Sequence, residues 1–275
     1  MPKISIILPT YNGERFLRES LDSCLEQTYT NWELIIVDDC STDHTMAIIN
    51  AYAKKDERIR VISNKTNKKL PASLNAGFSV ATGDYLTWTS DDNYYAPAAL
   101  ERMAAVLDKD ARISFVYANM TIIDEDGKIL SSKPQKAIST LYYGSCIGAC
   151  FLYRKSLYQK FGEYDTNLFC VEDYEFWMRL WSNGVVFFHL NNAPLYFYRN
   201  NSASLTVTKH QHVLEKTFEL KLMYWNRVPL SSFAKCSALC KCYRKTGSSE
   251  SLEKIYKKHP VLGRLFKICS WEKKN

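Results

Sequence analysis

Three pairs of adjacent carboxylates could do chemistry in this 275-residue chain: Asp38-Asp39, Asp91-Asp92 and Glu172-Asp173. A hard divalent cation prefers oxygen ligands, so two adjacent carboxylates could hold one beside a phosphorylated substrate. A further carboxylate that stays free could take a proton from an incoming hydroxyl group. Together the pairs indicate a group transfer in which a cation neutralises a leaving diphosphate.

Two of the pairs also have a purely structural interpretation. Asp91 and Asp92 could cap a turn or a helix, as aspartates often do. Asp173 opens a helical pattern, where a negative charge complements the helix dipole. These alternatives stay open until the elements that carry the pairs are considered.

The first half of the chain alternates short apolar runs with amphipathic stretches, which predicts βαβ units and a parallel sheet. The predicted strands are Ile4–Leu8, Trp32–Val37, Ile59–Ser63 and the run from Asp84 to Asp92. The predicted helices centre on Leu17–Leu25, on Met46–Ala53 and on Pro71–Thr82, and another follows Pro97. We expect Asn12 to cap the first helix, Ser41 or Thr42 to cap the second, and Gly83 to close the third. Because parallel strands end at one edge, Asp38-Asp39 and Asp91-Asp92 should meet where open α/β sheets bind ligands.

The second half of the chain has a different rhythm. A strand over Ile113–Ala118 leads to a hairpin turn at Glu125-Asp126-Gly127. The remaining predicted elements are a strand over Ile147–Tyr153, a helix over Glu172–Asn183 stopped by Gly184, and strands over Val185–Leu190 and Leu195–Tyr198. From His210 onward the pattern is helical and basic. The absence of internal repeats and low-complexity linkers favours one compact domain with a tail.

Charge is distributed unevenly along the chain. The net charge is +7, yet residues 209–275 hold 15 Lys and Arg against 5 Asp and Glu, which leaves residues 1–208 at −3. A basic tail predicts electrostatic attachment to anionic lipid or to nucleic acid. Leu262–Ile268 and Trp271 alternate apolar and basic residues, which is typical of a segment at a membrane surface. A basic helix packed on the domain would give the same pattern.

Several functional classes are not supported by the sequence. The first strand is followed by neither GxGxxG nor GxxxxGK[ST], and HExxH and GxSxG are absent. A phospho-receiver domain needs an Asp after its third strand, where this chain has Ser63-Asn64. Nucleic-acid binding would require aromatic residues interleaved on a basic face, so no nucleic-acid partner is expected. Nine scattered cysteines, the lack of a signal-peptide pattern and the lack of a roughly 18-residue apolar span predict a cytoplasmic protein.

The chain resembles family 2 glycosyltransferases, the inverting group that has the nucleotide-sugar-binding GT-A fold. The matching stretches are Ile4–Gly13 (ISIILPTYNG), Leu21–Tyr29 (LDSCLEQTY), Trp32–Thr42 (WELIIVDDCST), Ser73–Asp92 (SLNAGFSVATGDYLTWTSDD), Gly148–Arg154 (GACFLYR), Phe161–Asp165 (FGEYD) and Glu172–Arg179 (EDYEFWMR). They follow the family's order over residues 3–200. The resemblance implies an α/β fold with a mostly parallel central sheet flanked by helices, ahead of a helical basic C-terminal tail.

The resemblance also implies roles for individual residues. Thr10, Tyr11 and Asp39 match residues that hold the nucleotide, and Asn75 falls in the segment expected to shape the donor pocket. Asp91 and Asp92 match the signature that positions a divalent metal, Mn²⁺ or Mg²⁺, on the diphosphate, with Asp92 the direct ligand and Asp91 close to the ribose and the metal. Thr89 stands where the family usually has another Asp. Asp173 matches the general base, and Glu172 would orient it or contact the acceptor.

Expectations also follow for three basic residues. Arg199 follows the last strand, where the family often has a loop over the donor, so it could contact phosphate or form a surface ion pair. Lys68 and Lys69 precede the helix that contains Asn75, and we expect them in a solvated charged turn.

The sequence therefore predicts an inverting, metal-dependent glycosyltransferase domain over residues 1–208. Residues 1–118 would form the nucleotide-binding half and residues 119–208 the acceptor-binding half, and residues 209–275 would form the tail. The expected donor is a UDP-sugar. The expected acceptor is a glycan or lipid-linked glycan in surface polysaccharide synthesis (capsule, O-antigen or lipooligosaccharide), with the tail at the cytoplasmic face of the inner membrane. The alternative is a catalytically degenerate GT-A-like protein that binds nucleotides or acts in regulation.

Overall fold

The computed structural model describes residues 1–246 and contains one mixed sheet of nine strands. The strands are β1 (Ile4–Thr10), β2 (Trp32–Asp38), β3 (Ile59–Ser63), β4 (Tyr85–Trp88), β5 (Tyr94–Tyr95), β6 (Phe115–Ile123), β7 (Ile129–Lys133), β8 (Phe151–Arg154) and β9 (Phe187–Arg199). Their order is β3-β2-β1-β4-β8-β6-β9-β5, with β7 paired to β6. The first four strands are parallel, and β8 joins β4 antiparallel. This is the predicted α/β fold.

The strand order reverses next to β1, and that reversal determines where a ligand can bind. The chain runs outward from β1 to β2 and β3, and then returns to place β4 on the other side of β1. The loops that follow β1 and β4 therefore diverge and leave a crevice at the carboxyl ends of the strands. Thr10 ends β1, and Asp91 and Asp92 follow β4, so both loops at this crevice carry predicted site residues.

Helices cover both faces of the sheet. They are α1 (Leu17–Leu25), α2 (Thr45–Ala53), α3 (Leu70–Ser79), α4 (Ala99–Lys109), α5 (Lys155–Phe161), α6 (Glu172–Ser182), α7 (Leu205–Thr208), α8 (His210–Met223) and α9 (Ser232–Thr246), with a 3₁₀ helix at Ile138–Tyr143. Alternate residues of β1 point to opposite cores: Ile6 packs with α1, α2 and α4, and Ile7 packs with α3 and α6. Because both faces are covered, β1 and β2 are fully buried apolar runs.

The predicted helix caps at Asn12, Ser41 and Thr42 are wrong. α1 begins at Leu17 and α2 begins at Thr45, several residues beyond the predicted caps. Asn12 has a left-handed φ of 54°, and its Oδ1 accepts a hydrogen bond from the Thr42 amide at 2.8 Å. The Ser41 hydroxyl accepts from the Asn12 amide at 2.9 Å. These polar side chains join the loops after β1 and β2 to each other, so each has a partner in the neighbouring loop in place of a local helix end.

Three other boundaries differ from the predictions. α3 ends at Ser79, and Gly83 instead lies against β1, where a Cβ atom would be 2.7 Å from the Lys3 carbonyl oxygen. The strand predicted from Ile147 begins only at Phe151, since Gly148 adopts a left-handed φ of 71°. The two predicted late strands form the single strand β9, which absorbs the break between them as a register shift against β6.

The part of the predicted tail that the structure describes packs on the domain. Leu220, Tyr224 and Ala238 of α8, its following turn and α9 belong to the same apolar core as Trp177 of α6. Leu262–Ile268 and Trp271 lie outside the described residues. Within residues 1–246, every helix is too short or too polar to cross a bilayer.

Candidate active site

A cavity of about 920 Å³ lies at the carboxyl ends of β1, β2 and β4. Six of the seven residues predicted to form the site line this cavity: Thr10, Tyr11, Asp39, Asp91, Asp92 and Asp173. They come from four separate places in the chain, and helix α6 brings Asp173 to the side opposite the β1 loop. The structure therefore gathers the three acidic clusters around one space.

Asp39 lies at the base of the cavity and is fixed by its neighbours. Its Oδ1 accepts from the Asn64 amide and from the Lys68 backbone N–H, and its Oδ2 accepts from the Lys69 N–H, all at 2.8 Å. A carboxylate offers about four acceptor positions, so one stays available for a ring N–H of a base. Lys69 has a left-handed φ of 73° that turns its amide toward Asp39. The turn of Lys68 and Lys69 thus holds Asp39 through its backbone, a role that the sequence did not indicate.

Tyr11 and Thr10 have different surroundings although they are adjacent. Tyr11 is 49% exposed at the cavity, which leaves its ring free to stack on a planar ligand. Thr10 is buried, and its hydroxyl donates to Asp91 Oδ2 at 2.5 Å. Thr10 therefore acts on the site by orienting Asp91. Gly13 lies close to both groups, and a Cβ atom there would be 2.6 Å from Thr10 Oγ1 and would clash with the Asp91 carboxylate.

The pKa of Asp91 is unusually high for an aspartate. Burial and the neighbouring Asp92 carboxylate raise the pKa of Asp91 to about 7, although the Thr10 hydrogen bond opposes this rise. Two adjacent carboxylates that repel each other form a site ready for a cation. A bound cation would remove the repulsion and hold both groups ionised.

The loop that carries this pair is tied down from several directions. The Ser90 hydroxyl donates to Asp92 Oδ1 at 2.8 Å, and the Ser90 carbonyl accepts from Ser20 of α1 at 2.8 Å. Asn93 donates to the Ser90 hydroxyl and accepts from the Arg199 amide at 2.7 Å. The loop is therefore held in one geometry before any ligand arrives.

Arg199 neither faces the cavity nor lies at the surface, so both interpretations of this residue are wrong. Its side chain is 1% exposed, and its guanidinium pairs with Glu19 at 2.6 Å. It also donates to the carbonyl oxygens of Asp92, Asp124 and Glu125 at 2.8 to 3.1 Å. Arg199 therefore anchors the loop after β4 to the hairpin turn after β6.

The donor set at Asp91 and Asp92 fits a divalent metal. Within residues 1–246, no group of three or more His, Cys, Asp and Glu side chains could hold a metal ion alone. Mg²⁺ and Mn²⁺ accept one or two carboxylates and complete their shells with water and substrate phosphates. The two carboxylates, with Asp91 destabilised as an anion by its neighbour, match that mode of binding.

Glu172 and Asp173 begin helix α6 on the other side of the cavity. Glu172 is 3% exposed, and its Oε2 is buried and has no hydrogen-bond partner among the described residues. Burial and the Asp173 charge raise the pKa of Glu172, and burial raises the pKa of Asp173. Asp173 Oδ1 accepts from the Tyr174 amide at 2.5 Å, which fixes its orientation. A carboxylate with a raised pKa is a stronger base near neutral pH than an ordinary one.

Asn75 is the predicted site residue that the structure does not bring to the cavity. Its amide donates to the Tyr164 carbonyl at 2.8 Å, and its Oδ1 accepts from the Tyr164 N–H at 3.0 Å. It is buried and joins α3 to the loop that precedes α6. Its contacts indicate a structural role next to the donor side.

Tyr198 of β9 is a cavity residue that the sequence did not single out. It lines the cavity together with Asp92 and Asp173. Burial raises the pKa of its hydroxyl, and the two carboxylates raise it further, although a hydrogen bond with Thr206 opposes the shift. Lys133 lies 5.4 Å over its ring. Because Tyr198 belongs to a regular strand pattern, nothing in its local sequence distinguishes it from a core residue.

Known proteins resemble a large part of this chain. The profile of the family described as glycosyl transferase family 2 matches residues 5–162. EpsE of Bacillus subtilis strain 168, which carries a glycosyltransferase designation, is 39% identical over 208 residues, or 73% of this chain and 74% of EpsE. An uncharacterized glycosyltransferase of Rickettsia prowazekii is 31% identical over 198 residues, which are 68% of this chain and 61% of that relative.

Solved structures show the same fold at low sequence identity. Staphylococcus aureus TarS residues 1–349 in complex with UDP-GlcNAc matches with a TM-score of 0.67 and 20% identity, over 95% of this chain and 78% of that one. A mannosyltransferase from Pyrobaculum calidifontis in complex with GDP-Man and Mn²⁺ also matches with a TM-score of 0.67, at 15% identity over 98% of this chain and 86% of that one.

Proposed function

This chain belongs to glycosyltransferase family 2, and from that premise we propose that it moves a sugar from a UDP-sugar to an acceptor hydroxyl with inversion at the anomeric carbon. The observation that carries the proposal is the meeting of Asp39, Asp91-Asp92 and Asp173 at one cavity. These groups supply, in that order, a nucleotide contact, a metal site and a base. None of these groups alone would indicate a sugar transfer.

The donor end of the site is proposed at the β1, β2 and β4 loops. Asp39 would accept from a ring N–H of the base, and the exposed ring of Tyr11 would stack on it. Asp91 and Asp92 would hold Mn²⁺ or Mg²⁺. That cation would neutralise the charge that develops on the leaving diphosphate. We propose a UDP-sugar as the donor because TarS, which has a similar structure, was solved with UDP-GlcNAc. The similar mannosyltransferase structure contains GDP-Man instead.

The acceptor end is proposed at helix α6. Asp173 would take the proton of the incoming hydroxyl as that oxygen attacks the anomeric carbon. Attack on the face opposite the leaving group inverts the configuration in a single displacement, so no protein nucleophile is needed. Glu172, buried with an unpaired oxygen, would keep the base oriented or contact the acceptor.

The wider role proposed is surface polysaccharide synthesis, with a glycan or a lipid-linked glycan as acceptor. The charge asymmetry supports this setting, because residues 209–275 are strongly basic and the rest of the chain is not. A basic segment is attracted to the anionic inner leaflet, where lipid-linked glycans are built. The protein would work in the cytoplasm at that surface.

The test is sugar transfer or slow donor hydrolysis, measured with UDP-GlcNAc, UDP-glucose and UDP-galactose in the presence of Mn²⁺. Asp173→Asn should lower turnover about 10²- to 10⁴-fold and leave the Kd for UDP unchanged. Asp126→Asn, in the exposed turn after β6, is the matched control and should be fully active. Wild-type activity should fall as the pH drops below neutrality, because the raised pKa of Asp173 lets the base protonate there. Product of retained configuration, or full activity of Asp173→Asn, would contradict the proposed mechanism.

A further inference from the structure

The far wall of the cavity is basic. Lys221 of α8 and Lys241 and Lys245 of α9 all line the cavity, and we refer to these three residues as the lysine wall. None of them makes an ion pair with a carboxylate within residues 1–246. Three like charges facing one space repel one another, and an anion placed between them relieves that repulsion.

Lys221 shows most clearly that this wall is more than a solvated surface. It is 2% exposed, and its Nζ donates to the Tyr143 carbonyl at 3.2 Å. Burial lowers the pKa of Lys221, and the charges of Lys245 and Lys241 lower it further, whereas the Cys242 side chain, hydrogen-bonded to Lys221, opposes the shift. A buried ammonium without an anionic partner is costly, and such groups are concentrated at functional sites.

The lysine wall belongs to helices that pack against α6, the helix that carries the proposed base Asp173. Helix α8 is joined to α6 by a hydrogen bond from the Tyr224 hydroxyl to Glu175 at 2.6 Å. The Tyr142 hydroxyl donates to the Lys221 carbonyl at 2.6 Å, and the Tyr174 hydroxyl, next to Asp173, donates to the carbonyl of Leu141 at 2.8 Å. The lysine wall and Asp173 line the same cavity, so an acceptor whose hydroxyl reaches Asp173 from this side would contact the wall, whereas the donor diphosphate is proposed at Asp91 and Asp92.

We propose that the acceptor carries a phosphate group, a phosphodiester or a diphosphate, which binds the lysine wall while the acceptor hydroxyl reaches Asp173. This inference rests on the proposed function and narrows its acceptor class. Lysine is a compact charge with three donors, which suits a phosphate that carries several oxygens. Planar carboxylates are more often bound by the bidentate fork of arginine, and the wall contains lysine only. The phosphate would belong either to a lipid-linked glycan or to a soluble phosphodiester.

The experiment uses the full chain saturated with UDP and Mn²⁺, so that the donor site is filled. One arm measures binding of glycerophosphoglycerol, a soluble phosphodiester. The other arm measures binding to phosphatidylcholine vesicles that contain a polyprenyl diphosphate. The double variant Lys241→Gln/Lys245→Gln should weaken binding about tenfold or more in the arm that matches the natural acceptor. Lys54→Gln/Lys55→Gln, which removes two exposed lysines at the end of α2, is the control of equal charge and should bind like wild type.

The outcomes separate this inference from the proposed function. Binding in either arm that the wall variant loses and the control retains supports the inference, and the arm identifies the source of the phosphate. Absence of binding in both arms overturns it. An equal loss of UDP affinity in the wall variant also overturns it, because the lysines would then serve the donor diphosphate. If wild type failed to bind UDP, the proposed function would be contradicted. Comparing phosphodiester binding by wild type and by the wall variant would still test the inference.

Discussion

At the scale of single residues, the site combines acids whose surroundings shift their proton affinities. The pKa of Asp91 is raised to about 7 by burial and by Asp92, and burial raises the pKa of Asp173. The two shifts have different uses in the proposed reaction. At Asp91 the repulsion from Asp92 that raises the pKa is the repulsion that a bound cation would relieve, and at Asp173 the raised pKa makes a stronger base.

The shift at Asp91 predicts a pH dependence for metal binding. Below pH 7 Asp91 takes up a proton in the metal-free protein, and a cation must displace that proton. The affinity for Mn²⁺ in the presence of UDP should therefore fall as the pH drops below about 7 and level off above it. Calorimetry in two buffers of different ionisation enthalpy would detect the released proton. An affinity that stays constant between about pH 6 and pH 8 would contradict the assignment, and Asp91→Asn should remove the dependence.

At the scale of elements, loops are held by partners that lie far apart in sequence. Asn12 and Ser41 connect the loops after β1 and β2, and Arg199 at the end of β9 holds the loop after β4. These contacts replace the local caps and surface pairs that the sequence suggested. They hold in place the loops after β1, β2 and β4, which carry the proposed nucleotide and metal groups.

Replacing Arg199 tests this positioning. Arg199→Met removes a buried guanidinium that satisfies three carbonyl groups and pairs with Glu19. We expect a loss of about 2–4 kcal/mol in the free energy of unfolding, measured by urea titration, because part-buried carbonyl oxygens lose a charged donor. We also expect weaker metal-dependent UDP binding under conditions where the variant is still folded.

The matched control is Arg112→Met, which breaks the exposed pair with Asp110 at the end of α4. Exposed pairs contribute little, so this variant should unfold like wild type and bind UDP normally. If both variants lost the same stability, Arg199 would have no special role as an anchor.

At the scale of the whole molecule, the basic C-terminal region has two parts. Residues 209–246 fold onto the catalytic domain and contribute the lysine wall, and residues 247–275 carry a further net charge of +4. We predict that the full chain binds vesicles containing phosphatidylglycerol and that a chain ending at residue 246 binds them more weakly. Binding should weaken with added salt, because the attraction is electrostatic. Equal flotation of both chains with vesicles would contradict the predicted attachment.

Much of the fold was predictable because β1 and β2 are buried, mainly apolar runs and amphipathic helices separate the strands. The acidic site was predictable because carboxylates follow β2 and β4 and open α6, and parallel strands end at one edge. Contacts between distant parts of the chain were not predictable. The contacts of Arg199 and Tyr198 depend on what β9 packs against. The Lys69 backbone N–H can donate to Asp39 only because Lys69 adopts a left-handed φ.

The most direct test of the central claim is calorimetric titration of UDP, GDP and dTDP, with and without Mn²⁺, on wild type and on Asp92→Ala. We predict that one nucleotide, UDP, binds wild type tightly only with Mn²⁺, and that Asp92→Ala reduces this metal-dependent gain. The account would be contradicted if no nucleotide bound under any metal condition, or if Asp92→Ala bound UDP and Mn²⁺ as well as wild type does.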